Sequence, residues 1–167
     1  MPDEHLGRNT ALDLGIDYFD TAAQYGNGLS EQHLGEVFAE LKPDIHVATK
    51  VRVAGEGTKD INGTIRKSLE ESLTRLQRDS VDVLQLHTNV FDADDGQGIH
   101  VADVLRKGGV ADTLDALQAE KLIGHRGLVW RDREAVDVGS GRGQHRLGTA
   151  LLDNLQEGAG LGGPLAK

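Results

Sequence analysis

Two hydrophobic periods alternate along most of this chain, and that alternation constrains its fold more than any other feature. Residues 9–14 read as the end of a helix stopped by Gly15, and residues 16–20 as a strand. Over 29–41, Leu34, Val37, Phe38 and Leu41 recur at helical spacing, with Pro43 beyond the end. Residues 44–51 are β-branched and small-apolar, a second strand. After a loop over 53–59, residues 61–76 form the clearest helix, with Ile61, Ile65, Leu69, Leu73 and Leu76 on one stripe. Residues 81–87 read as a third strand and 91–105 as an acidic loop with a short turn at 101–105. Residues 110–122 read as a helix with Val110, Leu114 and Leu117 inward, and 127–130 as a fourth strand.

Strands and helices in turn, at this spacing, predict an α/β fold with parallel pairing through right-handed crossovers. A doubly wound open sheet and a (β/α)8 barrel both satisfy the pattern. Beyond Trp130 the character changes. Residues 131–167 hold 8 of the 22 glycines and no aromatic side chain, so 1–130 is expected to be one domain and 131–167 a divergent, irregular tail. Short helices over 132–138 and 147–155 are the regular structure expected there, and no strand.

The formal net charge of −9 opposes nucleic-acid backbones and anionic membranes, so neither is an expected partner. No run of about 18 apolar residues predicts a membrane span, and the first residues do not resemble a secretory leader. Zero cysteines remove disulfides, thiolate nucleophiles and cysteine-ligated metals, and fit a cytoplasmic location. The seven histidines form no His-x-His or His-x-x-x-His pair, so no metal site is expected. The acidic stretch 91–96 lacks the glutamate that would complete a calcium loop.

Chemistry is expected at the strand ends. Asp20 ends the first strand, Lys50 lies near the end of the second, and His87 closes the third. Parallel α/β folds gather the carboxyl ends of their strands on one rim, where ligands bind. Tyr25, in the loop leaving the first strand, reaches the same rim. A lysine cation favours the phenolate of an adjacent tyrosine, a carboxylate holds that cation, and a histidine orients a carbonyl oxygen or relays a proton. Such a tyrosine suits acid–base catalysis of carbonyl reduction. No side chain supplies a hydride, so a redox reaction needs a nicotinamide cofactor. Singly, each residue has a plainer reading: Asp20 and His87 as turn caps, Lys50 as a surface lysine, Tyr25 as a turn aromatic. Their convergence favours a site.

The stretch from Gly15 to Ala22 (GIDYFDTA), followed by Tyr25-Gly26, Ser30-Glu31 and Leu34-Gly35, resembles the first signature of the aldo-keto reductases. Residues 65–76 (IRKSLEESLTRL) running into 81–87 (VDVLQLH) resemble the second, with Lys50 at the family's lysine position. The resemblance spans roughly residues 10–128 and, over 109–127, is greatest to bacterial members resembling sugar (aldose or galactose) dehydrogenases. It implies a (β/α)8 barrel, here partial with about four parallel strands, and reversible NADP- or NAD-dependent reduction of a small-molecule carbonyl to an alcohol. It further implies Tyr25 as proton donor, Lys50 and Asp20 as the pair that activates it, His87 as the substrate-orienting residue, and Asp20 and Thr21 beside the cofactor.

The chain also departs from that pattern. A (β/α)8 barrel takes about 250 residues. At the place where the family binds the nicotinamide amide, this sequence has Leu128-Val129-Trp130. A truncated chain of this kind is expected to expose strand edges and to self-associate. The competing reading is a catalytically inactive remnant serving as an interaction module or without function. A third reading, an unrelated nucleotide-binding sheet, requires Gly-x-Gly-x-x-Gly after the first strand, and residues 20–28 (DTAAQYGNG) do not match it.

Overall fold

The computed structural model describes residues 6–91, 98–132 and 146–151. Its elements run α1 (Leu6–Asp13), β1 (Tyr18–Asp20), α2 (Leu29–Leu41), β2 (His46–Val51), α3 (Ile61–Leu76) and β3 (Val81–Leu86). Then come β4 (Val90–Phe91), β5 (Ile99–His100), α4 (Val101–Leu105), α5 (Val110–Ala119), β6 (Ile123–Asp132) and β7 (Arg146–Leu151). The main sheet has the order β1-β2-β3-β6-β7, parallel from β1 through β6, with β7 antiparallel at the edge.

This order settles what periodicity left open. A doubly wound sheet reverses its strand order and carries helices on both faces. Here β1, β2, β3 and β6 follow one another as neighbours, and the helices pack on one face. Val47 and Val51 of β2 and Leu84 and Leu86 of β3 share a core with Val37 and Phe38 of α2, Ile61, Ile65, Leu69 and Leu76 of α3, and Leu114 and Leu117 of α5. A one-sided helix layer over sequentially ordered parallel strands is an arc of a (β/α)8 barrel.

The helix ends explain why the elements stop where they do. Asp60 caps α3, its Oδ1 accepting from the Gly63 amide at 2.9 Å. At its other end Gln77 turns left-handed (φ 53°), with Gln77 N–H donating to Thr74 O at 3.3 Å and Arg78 N–H to Leu73 O at 3.1 Å. Helix α5 closes in the same way. Lys121 has φ 62°, its N–H donates to Gln118 O at 3.0 Å, and Leu122 N–H donates to Leu117 O at 3.0 Å. That closure ends α5 at Ala119, three residues before the sequence pattern suggests, because Leu122 is apolar as a capping residue and not as a fourth helical turn.

Other expectations change too. Strand β1 begins at Tyr18 rather than residue 16, while β6 begins at Ile123 and is longer than the fourth strand expected. The stretch read as loop contains a parallel β4–β5 pair and α4, whose first turn is capped by His100 Nδ1 accepting from Ala102 N at 3.0 Å. Of residues 147–155, read as helical, 147–151 belong to β7 instead, because the open edge of β6 offers a row of backbone partners that local propensity does not register. Asp132, read as the start of a helix, ends β6. Residues 133–138, 152–155 and 92–97 of the acidic stretch lie outside the described residues.

Candidate active site

The rim of the sheet gathers all four residues singled out by the sequence. Asp20 ends β1, where Thr21 N–H donates to Ala48 O at 2.9 Å and holds the strand end against β2. Lys50 lies on β2, opposite Gln85 of β3, and His87 follows β3 with its N–H donating to Val51 O at 2.7 Å. Tyr25 sits in the loop between β1 and α2.

Lys50 is 5% exposed, which removes the surface-lysine reading. Its Nζ donates to both carboxylate oxygens of Asp20 at 2.8 Å and to the Thr21 carbonyl at 2.8 Å. The ammonium therefore points at the rim between two fixed acceptors, and it also stands 4.9 Å from the centroid of the Tyr25 ring. The Tyr25 and His87 rings meet edge to face, with centroids 6.3 Å apart and planes at 88°. Tyr25 is 43% exposed and the Asp20 side chain is 44% exposed, so the cluster opens to solvent on one side.

Thr21, expected beside a cofactor, is fully buried, and its hydroxyl is within 2.8 Å of the Ser30 hydroxyl. It braces the start of the Tyr25 loop against the start of α2. The loop itself turns through three successive left-handed residues, Gly26 (φ 59°), Asn27 (φ 56°) and Gly28 (φ 91°). A Cβ at Gly28 would lie 2.9 Å from Arg75 Cδ, so glycine is needed there for both its backbone and its space.

Two polar features lie outside the candidate site residues read from the sequence, although one of them, Glu31, falls within the first family signature. Gln85 is 3% exposed, and its Oε1 has no hydrogen-bond partner among the described residues. It lies on β3 two residues before His87, which follows the strand, and opposite Lys50 of β2. A lone polar residue in the apolar run Val83 to Leu86 is the signal that could have marked it. Glu31 is a fully buried carboxylate beneath the rim. At the opposite, amino-terminal end of the sheet, His46 Nδ1 lies 3.0 Å from Asp82 Oδ1, far from this chemistry.

Among the described residues no group of three or more His, Cys, Asp or Glu could hold a metal ion, and no helix is long and apolar enough to cross a membrane.

Comparison with known proteins agrees with this geometry. Residues 8–131 match the model of the aldo/keto reductase family. The chain is 44% identical to an L-galactose dehydrogenase of Arabidopsis thaliana over 84 residues, which is 48% of this chain and 26% of that protein. It is 34% identical to a D-threo-aldose 1-dehydrogenase of a Pseudomonas species over 106 residues, covering 46% of this chain and 31% of that one. The solved structure of a glycerol dehydrogenase from Gluconobacter oxydans superposes with a TM-score of 0.57 at 32% identity, over 77% of this chain and 39% of the other. The chain thus spans well under two-thirds of the length of each of these relatives.

Proposed function

Because this chain belongs to the aldo/keto reductase family, we propose that its rim is the proton-transfer side of an NADP- or NAD-dependent carbonyl reductase acting on small polyhydroxylated substrates such as sugars. The observation that carries the reading is the convergence of Lys50, Asp20, Tyr25 and His87 at the carboxyl ends of the strands. The substrate class rests on the likeness to the galactose, aldose and glycerol dehydrogenases.

In this reading Tyr25 protonates the carbonyl oxygen as it becomes an alcohol, and takes the proton back in the reverse direction. Asp20 fixes Lys50 by two hydrogen bonds, and the fixed ammonium favours negative charge on the phenol oxygen when the proton leaves. The His87 and Tyr25 rings meet edge to face, and there the imidazole orients the carbonyl for that transfer. The half-exposed Asp20 and Tyr25 and the unpartnered acceptor of Gln85 fit a polar ligand on the open side. A bound nicotinamide dinucleotide would supply the hydride, which none of these side chains can. Asp20 would meet that cofactor through its exposed carboxylate edge, while Thr21, its hydroxyl held by Ser30, would keep the strand end in place.

The test is titration of the purified protein with NADPH and NADH, followed by the fluorescence of Trp130 and the tyrosines. Saturation in the micromolar range and carbonyl-dependent NADPH oxidation are expected. Tyr25→Phe is expected to abolish oxidation and to leave cofactor binding nearly intact. Equal turnover in that variant overturns the proton-donor role. No binding at millimolar cofactor favours the inactive reading, in which these residues are gathered without a working site.

A further inference from the structure

Beneath the rim, on the helix side of the sheet, lies an ion-pair cluster that the proposed chemistry does not use. Glu31, in the first turn of α2, is fully buried, and each of its carboxylate oxygens has a separate partner. Oε1 accepts from the Thr49 hydroxyl at 2.5 Å, and Oε2 accepts from Arg75 Nε at 2.7 Å. Arg75 Nη2 donates to Ser72 Oγ at 3.2 Å, which aims the guanidinium. A buried carboxylate is costly unless held in this way, so its partners restrict where α2 can begin.

The position of these partners is the telling point. Thr49 precedes Lys50 on β2, and consecutive strand residues point to opposite faces. One strand thus presents Thr49 to Glu31 below and Lys50 to Asp20 and Tyr25 above. Glu31 stands three residues after Gly28, where the left-handed turn that follows Tyr25 ends. Gly28 in turn rests on the stem of the same Arg75, leaving no room for a Cβ. The other end of the loop is tied by Thr21 to Ser30 and to Lys50. The loop bearing Tyr25 is therefore clamped at its far end by one buried carboxylate that also grips the strand bearing Lys50.

We propose that Glu31 is a positioning residue of the site: by joining Thr49 and Arg75 it sets the placement of the Tyr25 ring against Lys50 and His87. The effect on turnover rests on the reductase reading above; the geometric claim does not. Glu31→Gln keeps size and one hydrogen bond but removes the ion pair. Thr49→Val is isosteric and removes the other bond. Arg75→Gln removes the ion pair from the opposite side.

The experiment is NMR of the full chain without cofactor, reading the nuclear Overhauser contact between the Tyr25 and His87 rings, alongside steady-state kinetics and NADPH affinity. In Glu31→Gln and Thr49→Val the ring contact is expected to weaken or vanish. The kcat is expected to fall by roughly 10- to 100-fold, the scale of an ångström-level misplacement. The NADPH Kd and the methyl spectrum of Ile65, Leu69 and Leu84 are expected to stay close to the parent's. Adding Arg75→Gln to Glu31→Gln is expected to cost little more than Glu31→Gln alone, since both break one link. An unchanged ring contact and kcat with only a lower melting temperature overturns the proposal and leaves Glu31 a purely structural ion pair. If Glu31→Gln does not fold, Thr49→Val gives the same decision. If the parent oxidises no NADPH, the reductase reading fails, and the ring contact alone decides the role of Glu31.

Discussion

The Lys50–Asp20 pair predicts an asymmetry that can be measured by unfolding. Its two members sit in different surroundings: the Lys50 side chain is 4% exposed and that of Asp20 is 44% exposed. Asp20→Asn leaves a buried ammonium without its counter-charge, and stranding a buried charge costs about 3–5 kcal/mol. The Thr21 carbonyl and the new amide oxygen still accept from Nζ, so about 2–3 kcal/mol is expected here. Lys50→Met instead leaves Asp20 facing water, which replaces the lost hydrogen bonds, while the thioether chain fills a similar buried volume. The exposed end of an ion pair contributes about 0–1 kcal/mol, so the cost should be about 1 kcal/mol or less. With a urea m-value of about 2 kcal/mol/M, the midpoint falls by roughly 1 M for Asp20→Asn and by about half of that or less for Lys50→Met. On the proposed function, both variants should also lose carbonyl reduction. The assay is urea unfolding followed by circular dichroism at matched m. A midpoint lower in Lys50→Met than in Asp20→Asn would refute the premise that the buried partner decides the cost.

Stability should also depend on pH through His46 and Asp82. The hydrogen bond and charge of Asp82, helped by Asp17 and Asp44, raise the His46 pKa above 6.5. That contribution is present below the unfolded histidine value and is lost as pH rises through the raised folded value. Burial alone would raise Asp82, but hydrogen bonds from His46 and the Val47 amide, with the charges of His46 and Arg78, outweigh it and hold it below 3.8. Its contribution is present above the unfolded carboxylate value and lost as pH falls through the lowered one. His46→Gln should therefore flatten the loss on the alkaline side, read as the urea midpoint from pH 5 to pH 9, and an unchanged profile would count against it. Gly35→Ala should cost about 1–3 kcal/mol, because the added methyl meets the Arg75 carbonyl oxygen and the Leu76 backbone and must drive α2 from α3; a neutral melting temperature would show that the two helices can part freely. Leu69→Ala, at a 2% exposed core position on α3, should cost about 2–5 kcal/mol by calorimetry.

Much of this arrangement was legible in the chain. The stripe over Ile61–Leu76 predicts α3 to the residue because it is long, amphipathic and closed by Asp60 and Gln77. Asp20, Lys50 and His87 could be placed on one rim because parallel strands put their carboxyl ends on one side. Glu31 could not be found this way. It lies in a polar run, Ser30-Glu31-Gln32-His33, and its partners Thr49 and Arg75 are 18 and 44 residues distant. The local pattern over 147–151 reads as helix although it forms β7, because its pairing partner, β6, lies outside any local window.

The amino-acid order by itself determined the succession of elements, the apolar faces they bury and the residue types presented at the strand ends. Each of these follows from periodicity and capping within a single element. Tertiary structure decided between the two folds that periodicity allowed, in favour of the barrel arc that the family resemblance implies, and it alone decided that Thr21 turns away from the rim to Ser30 and that a buried carboxylate joins the Tyr25 loop to the strand of Lys50. Those outcomes depend on which distant groups meet once water is excluded, and burial makes an unpartnered charge or backbone edge too costly to leave open.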